Sequence, residues 1–141
     1  MTQEARRMIN HHDALIYIMV MMSAADERMP DSELKEMSDL VVHLPIFRDY
    51  DKSQISKTSA KCVDLLKGED GLDKILKLVR AALPEKLRET AYALACDVAA
   101  ADGKVTVEES RLLDMIRYEL QVGKLVAAAI ERGARARHLT L

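Results

Sequence analysis

Two carboxylates seven positions apart, Asp102 and Glu109, flank a polar turn that joins two apolar helical stretches, and Asp26 and Glu33 repeat the spacing 76 positions earlier. Asp97 adds a fifth acid on the stretch leading into the second turn. Carboxylates gathered with turn carbonyls form a hard-oxygen ligand set, suited to Ca²⁺, Mg²⁺ or Mn²⁺. If the two turns pack together, Asp26, Glu33, Asp97, Asp102 and Glu109 converge on one such site. The spacing is not that of an EF-hand, which needs a Glu eleven positions after its first Asp, with acidic side chains between them.

Local structure explains part of the same pattern without a ligand. Asp102-Gly103 is a strong turn pair. Thr106-Val107-Glu108-Glu109 fits a capping box, the Thr hydroxyl accepting from the third helical N–H and the Glu reaching back to the cap N–H. Asp102 is the acid least explained this way. Beside the exposed carbonyls of a helix end it costs roughly 0.3–1 kcal/mol.

Other reactive side chains form weaker patterns. His11 or His12 and His43 fall at the same far end of a helical hairpin, where imidazoles would suit Zn²⁺, Ni²⁺ or Cu²⁺; the plainer reading is surface or half-buried histidines. Cys62 and Cys96 sit inside apolar patterns as small core residues. No motif places a Ser, Cys or Lys nucleophile beside an oriented base. Paired-carboxylate hydrolysis would need a cleft and a sugar platform that the pattern lacks. The expectation is a protein that is not an enzyme.

The elements that must position these residues are helices. Apolar spacing predicts helix 1 from Gln3 to about Ala25, with Met8, Leu15, Ile18, Met19 and Met22 inward. Helix 2 starts near Pro30, presents Leu34, Met37, Leu40, Val41 and Leu44, and is stopped by Pro45. After a connector at 46–50, helix 3 runs from Asp51 or Lys52 to Lys67 on Ile55, Ser59, Cys62, Val63 and Leu66. Helix 4 follows the Gly68–Gly71 break, and helix 5 runs from Pro84 to Ala101 with an alanine-rich second half. Helix 6 spans Thr106 to Glu119 on Val107, Leu112, Leu113, Ile116 and Leu120, and helix 7 spans Lys124 to Arg137 with Leu125, Val126, Ala129 and Ile130 inward. Short connections make antiparallel neighbours. The expected fold is therefore an all-α bundle of about seven helices, built around two pseudo-symmetric hairpins, helices 1–2 and 5–6, in a single domain over 1–141.

Composition agrees. Five glycines and three prolines in 141 residues leave few interruptions, and the abundant Ala, Leu, Met, Lys and Glu favour helix. A chain this long buries roughly 68% of its unfolded surface in one core. One Phe and no Trp mean that aliphatic and Met side chains fill it. A net charge of −2 gives no basic face for nucleic acid. Arg132, Arg135 and Arg137 read as charges answering a helix C-terminus. The longest apolar run, Leu15–Met22, is too short to span a bilayer, and no signal-peptide pattern opens the chain. The expected setting is the cytoplasm, with another protein as partner and an open oligomeric state.

The run Ala95-Cys96-Asp97-Val98-Ala99-Ala100-Ala101-Asp102-Gly103-Lys104-Val105-Thr106-Val107-Glu108-Glu109-Ser110 resembles the tellurite-resistance TerB family. The hallmark there is a helix ending in Ala-Asp-Gly, then an aliphatic residue, then Ser or Thr and Glu. The resemblance covers about residues 10 to 135, with a fainter first copy at 24–33. It implies a cytoplasmic bacterial stress-response module and a metal-binding acidic patch at Asp97, Asp102 and Glu109, and at Asp26 and Glu33 in the first copy. That copy departs from the pattern: Glu27 stands for Gly103 and Pro30 for Thr106, so it lacks the glycine turn and the capping hydroxyl.

Overall fold

The computed structural model describes residues 9–25 and 29–141. Among these the chain forms seven α-helices, three short 3₁₀ turns and no strand. The helices are α1 (His11–Ala24), α2 (Asp31–His43), α3 (Ile55–Lys67), α4 (Gly71–Ala82), α5 (Arg88–Ala100), α6 (Val107–Leu120) and α7 (Lys124–Arg137). The all-α, seven-helix expectation holds. Among the described residues no helix is long and apolar enough to cross a membrane.

α1 is the centre. Every residue from Ala14 to Ser23 is buried, as befits a helix apolar on all sides. It packs against α3, α4 and α5, while α5 in turn carries α2, α6 and α7. Consecutive α1 and α2 meet only lightly, and α2 leans mainly on α5. The first hairpin is thus more open than short connections suggest, because α1 must leave its whole surface to other helices. α1 also begins later than its periodicity indicates. Asn10 is the N-cap, its side chain accepting from the Asp13 N–H at 2.8 Å while the Asp13 carboxylate reaches back to the Asn10 N–H. Gln3 and Met8 lie outside the described residues.

Other boundaries fall close to the pattern. Leu44 is extended (ψ 138°) ahead of Pro45 and ends α2, and the following 3₁₀ turn seals Phe47 into the core. A 3₁₀ turn at Lys52–Gln54 leads into α3, and another at Glu85–Leu87 stands between Pro84 and α5. The break before α4 has a steric reason: a Cβ on Gly71 would lie 2.2 Å from the Leu65 carbonyl oxygen, so only glycine fits.

Two helical faces differ from expectation. Val107 is 69% exposed, since it occupies the first position of α6 outside the core. In α7, Leu125 is 86% exposed and Val126 and Ala129 face solvent, while Ala127, Ile130 and Ala134 turn inward. α7 meets α5 on the side that carries Tyr92 and Asp97, whose side chains bond Glu131 and Arg137. The face of α7 with Ala127, Glu131 and Ala134 is thereby turned to the bundle, and Leu125 is left outside.

Candidate functional site

The α5–α6 turn is built as its residues dictate. Gly103 takes φ +85°, a left-handed backbone open to glycine. Asp102 Oδ1 accepts from the Lys104 N–H at 3.0 Å, an Asx turn that ties the acid to the backbone beyond Gly103. The Thr106 hydroxyl accepts from the Glu109 N–H at 3.1 Å, and Glu109 Oε1 accepts from the Thr106 N–H at 2.9 Å. The capping box is therefore formed, and it engages one oxygen of Glu109. That residue is 1% exposed, and its Oε2 is buried without a hydrogen bond among the described residues.

At the first turn the geometry changes and the acid stays. Glu33, in the first turn of α2, is also 1% exposed. Pro30 stands at the N-cap with no side-chain bond to offer, and the left-handed residue is Met29 (φ 41°). Asp26 lies outside the described residues.

Asp97 is drawn elsewhere. Its Oδ1 accepts from Arg137 Nη2 at 2.6 Å and lies 3.4 Å from His138 Nε2, which is equally 3.4 Å from Glu36 Oε2. Glu36, Asp97 and His138 form the one set of three potential ligands within 4.8 Å of one another among the described residues. Burial raises the Glu36 carboxyl above its ordinary range, with His138 opposing that shift. Arg137, read from the sequence as a terminal helix charge, is thus also the partner of an inter-helix acid. Glu36 and His138 were not singled out by any pattern. Glu36 does follow Glu33 by three positions and so shares its side of α2, the one local signal available.

The histidine pair at the far end is not assembled. His12 Nε2 donates to the Ile46 carbonyl at 2.7 Å and its ring lies against Phe47 and Tyr50. His43 is exposed and its Nδ1 donates to the Asp39 carbonyl within its own helix. Each ring is held by a backbone oxygen, that of His43 within its own helix and that of His12 from the connector after α2, and the two share no contact with a common acid among the described residues. Both cysteines are buried, and burial pushes each thiol up to about 12, the behaviour of core residues.

The family described as tellurite resistance protein TerB matches the chain over residues 12–131. No curated protein and no solved structure matches it.

Proposed function

The chain belongs to the TerB family of tellurite-resistance proteins, and from that premise we propose that it is a non-enzymatic, cytoplasmic stress-response module whose acidic turn surface binds a divalent cation, Ca²⁺, Mg²⁺ or Mn²⁺. Asp102 and Glu109 at the second turn and Asp26 and Glu33 at the first are the residues that would hold it. Asp97 stands behind them on α5 with Arg137 as its partner. The observation that carries this reading is Glu109. Its cap needs one oxygen, and the other is buried without a donor among the described residues, an arrangement that costs about 1–3 kcal/mol unless a cation or water answers it. A hard cation supplies that answer and is drawn to the same oxygen chemistry at Asp102. Thiols held near pKa 12 support the non-enzymatic part, since neither is a ready nucleophile.

A second reading has its own observation. Val107, Tyr118 and Leu125 are 69%, 81% and 86% exposed on α6 and α7, large apolar side chains left available to another protein. On that reading the acids are caps and turns alone.

Amide NMR of metal-free protein, titrated with Ca²⁺, Mg²⁺ and Mn²⁺, separates the two. Shifts or broadening confined to residues 29–33 and 101–110, and lost in Glu109→Gln, are expected for the cation site. A flat titration at millimolar ion would leave the protein-docking reading.

A further inference from the structure

We infer that Glu36, Asp97 and His138 form a second metal site, separate from the acidic turns and selective for a divalent transition ion such as Zn²⁺. The three residues come from three places in the fold: Glu36 from the middle of α2, Asp97 from α5 and His138 from the residue that caps α7. Their meeting is a product of tertiary packing, and no single helix brings two of them together.

Distances match the chemistry. A tetrahedral ion with bonds near 2.0–2.1 Å to nitrogen and oxygen separates its ligand atoms by about 3.4 Å. His138 Nε2 stands 3.4 Å from Glu36 Oε2 and 3.4 Å from Asp97 Oδ1. Both separations are long for a charge-assisted N–H···O bond, which closes to about 2.7–2.9 Å. The imidazole nitrogen therefore sits at ligand spacing from two carboxylates and hydrogen-bonds tightly to neither. The third edge, between the two carboxylate oxygens, is no more than 4.8 Å. One nitrogen and two carboxylates are the donors of a borderline ion, unlike the all-oxygen set at the turns.

The surroundings leave room for a fourth ligand. The side chains of His138, Glu36 and Asp97 retain 17%, 21% and 10% of their exposure. They border a cleft of about 580 Å³ whose walls include Leu40, Leu44, Ala93 and Leu94. A three-ligand set open on one side to such a cleft keeps a position for water or for a group brought by a partner. Arg137 is the resident cation in this arrangement. It holds Asp97 Oδ1, yet its own side chain is 56% exposed and is free to swing into solvent when an ion takes the oxygen. Arg137 and the metal compete for the same charge.

That competition supplies a test that an ion-pair network would not pass. Calorimetric titration of the metal-free full chain with Zn²⁺ is expected to show one site. Glu36→Gln and His138→Ala should each weaken it by about tenfold or more, while Glu109→Gln leaves it unchanged. Arg137→Gln should tighten it several-fold, since the competitor is gone. Replacing Zn²⁺ by Co²⁺ should give the strong visible absorption of a four-coordinate ion, lost in His138→Ala. Glu36→Gln conserves shape; should it fail to fold, His138→Ala at the end of α7 gives the same reading. The inference is overturned if Zn²⁺ affinity survives His138→Ala, if amide shifts gather at His11, His12 and His43, or if Arg137→Gln weakens binding as His138→Ala does.

Discussion

The α5–α6 turn and the Glu36–Asp97–His138 cluster share α5 and solve the same problem, that of holding acids near a helix end, by opposite means. At the turn, Asp102 and Glu109 are held by Lys104 and Thr106, two and three residues away along the chain. In the cluster, Asp97 is held by Arg137 and His138, about forty positions on, and faces Glu36 from a third helix. Local bonds form whenever the turn forms. Remote ones exist only when α2, α5 and α7 are docked. The turn therefore reports on a hairpin, and the cluster on the whole fold.

The largest effect that sharpens this contrast is in thiol chemistry. With Cys96 pushed up to about 12, labelling by iodoacetamide at pH 8 should run about a thousandfold slower than for a free thiol. In Asp97→Ala the rate should rise as the end of α5 loosens, whereas Thr106→Ala should leave it nearly unchanged. Equal acceleration by both variants would erase the distinction. In stability, Asp97→Ala should cost about 2 kcal/mol by urea denaturation, below the usual figure for a fully buried pair because Arg137 is half in solvent. Thr106→Ala, which removes one cap bond, should cost about 1 kcal/mol. Asp102→Asn should be smallest, within about 0.5 kcal/mol, because Asn keeps the oxygen that accepts from Lys104. If Asp102→Asn proved the most damaging of the three, the turn and not the cluster would be what the fold depends on.

The same contrast explains what could be read from the sequence. The Asp-Gly turn, the Thr106–Glu109 box, the stop at Pro45 and both ends of α7 are local matters, written in neighbouring residues. Asp102 looked misplaced from its position alone, because the Asx turn depends on the backbone after Gly103. His138 could not be found by spacing, and for Glu36 the only local signal is its place three residues after Glu33, on the same side of α2. Hydrophobicity points to Leu125 and Val126 as the inward face of α7, but the polar bonds of Glu131 and Arg137 to α5 turn Ala127 and Ala134 inward instead. The opened first hairpin follows likewise from α1's partners, which only the assembled molecule names. Asp26 remains a reading of the sequence, as it lies outside the described residues.

The burial of α1 on every side has a consequence for the life of the chain before and after folding. From Ala14 to Ser23 no residue has a place in solvent, and Leu15–Met22 carries no charge to guard it. Whenever the surrounding helices part, this segment becomes a sticky, uncharged strand of apolar side chains, the kind of window that seeds self-association. Solubility in the cell is then governed by how seldom α1 is uncovered, and any ligand that clamps α2, α5 and α7 would act as a guard against aggregation.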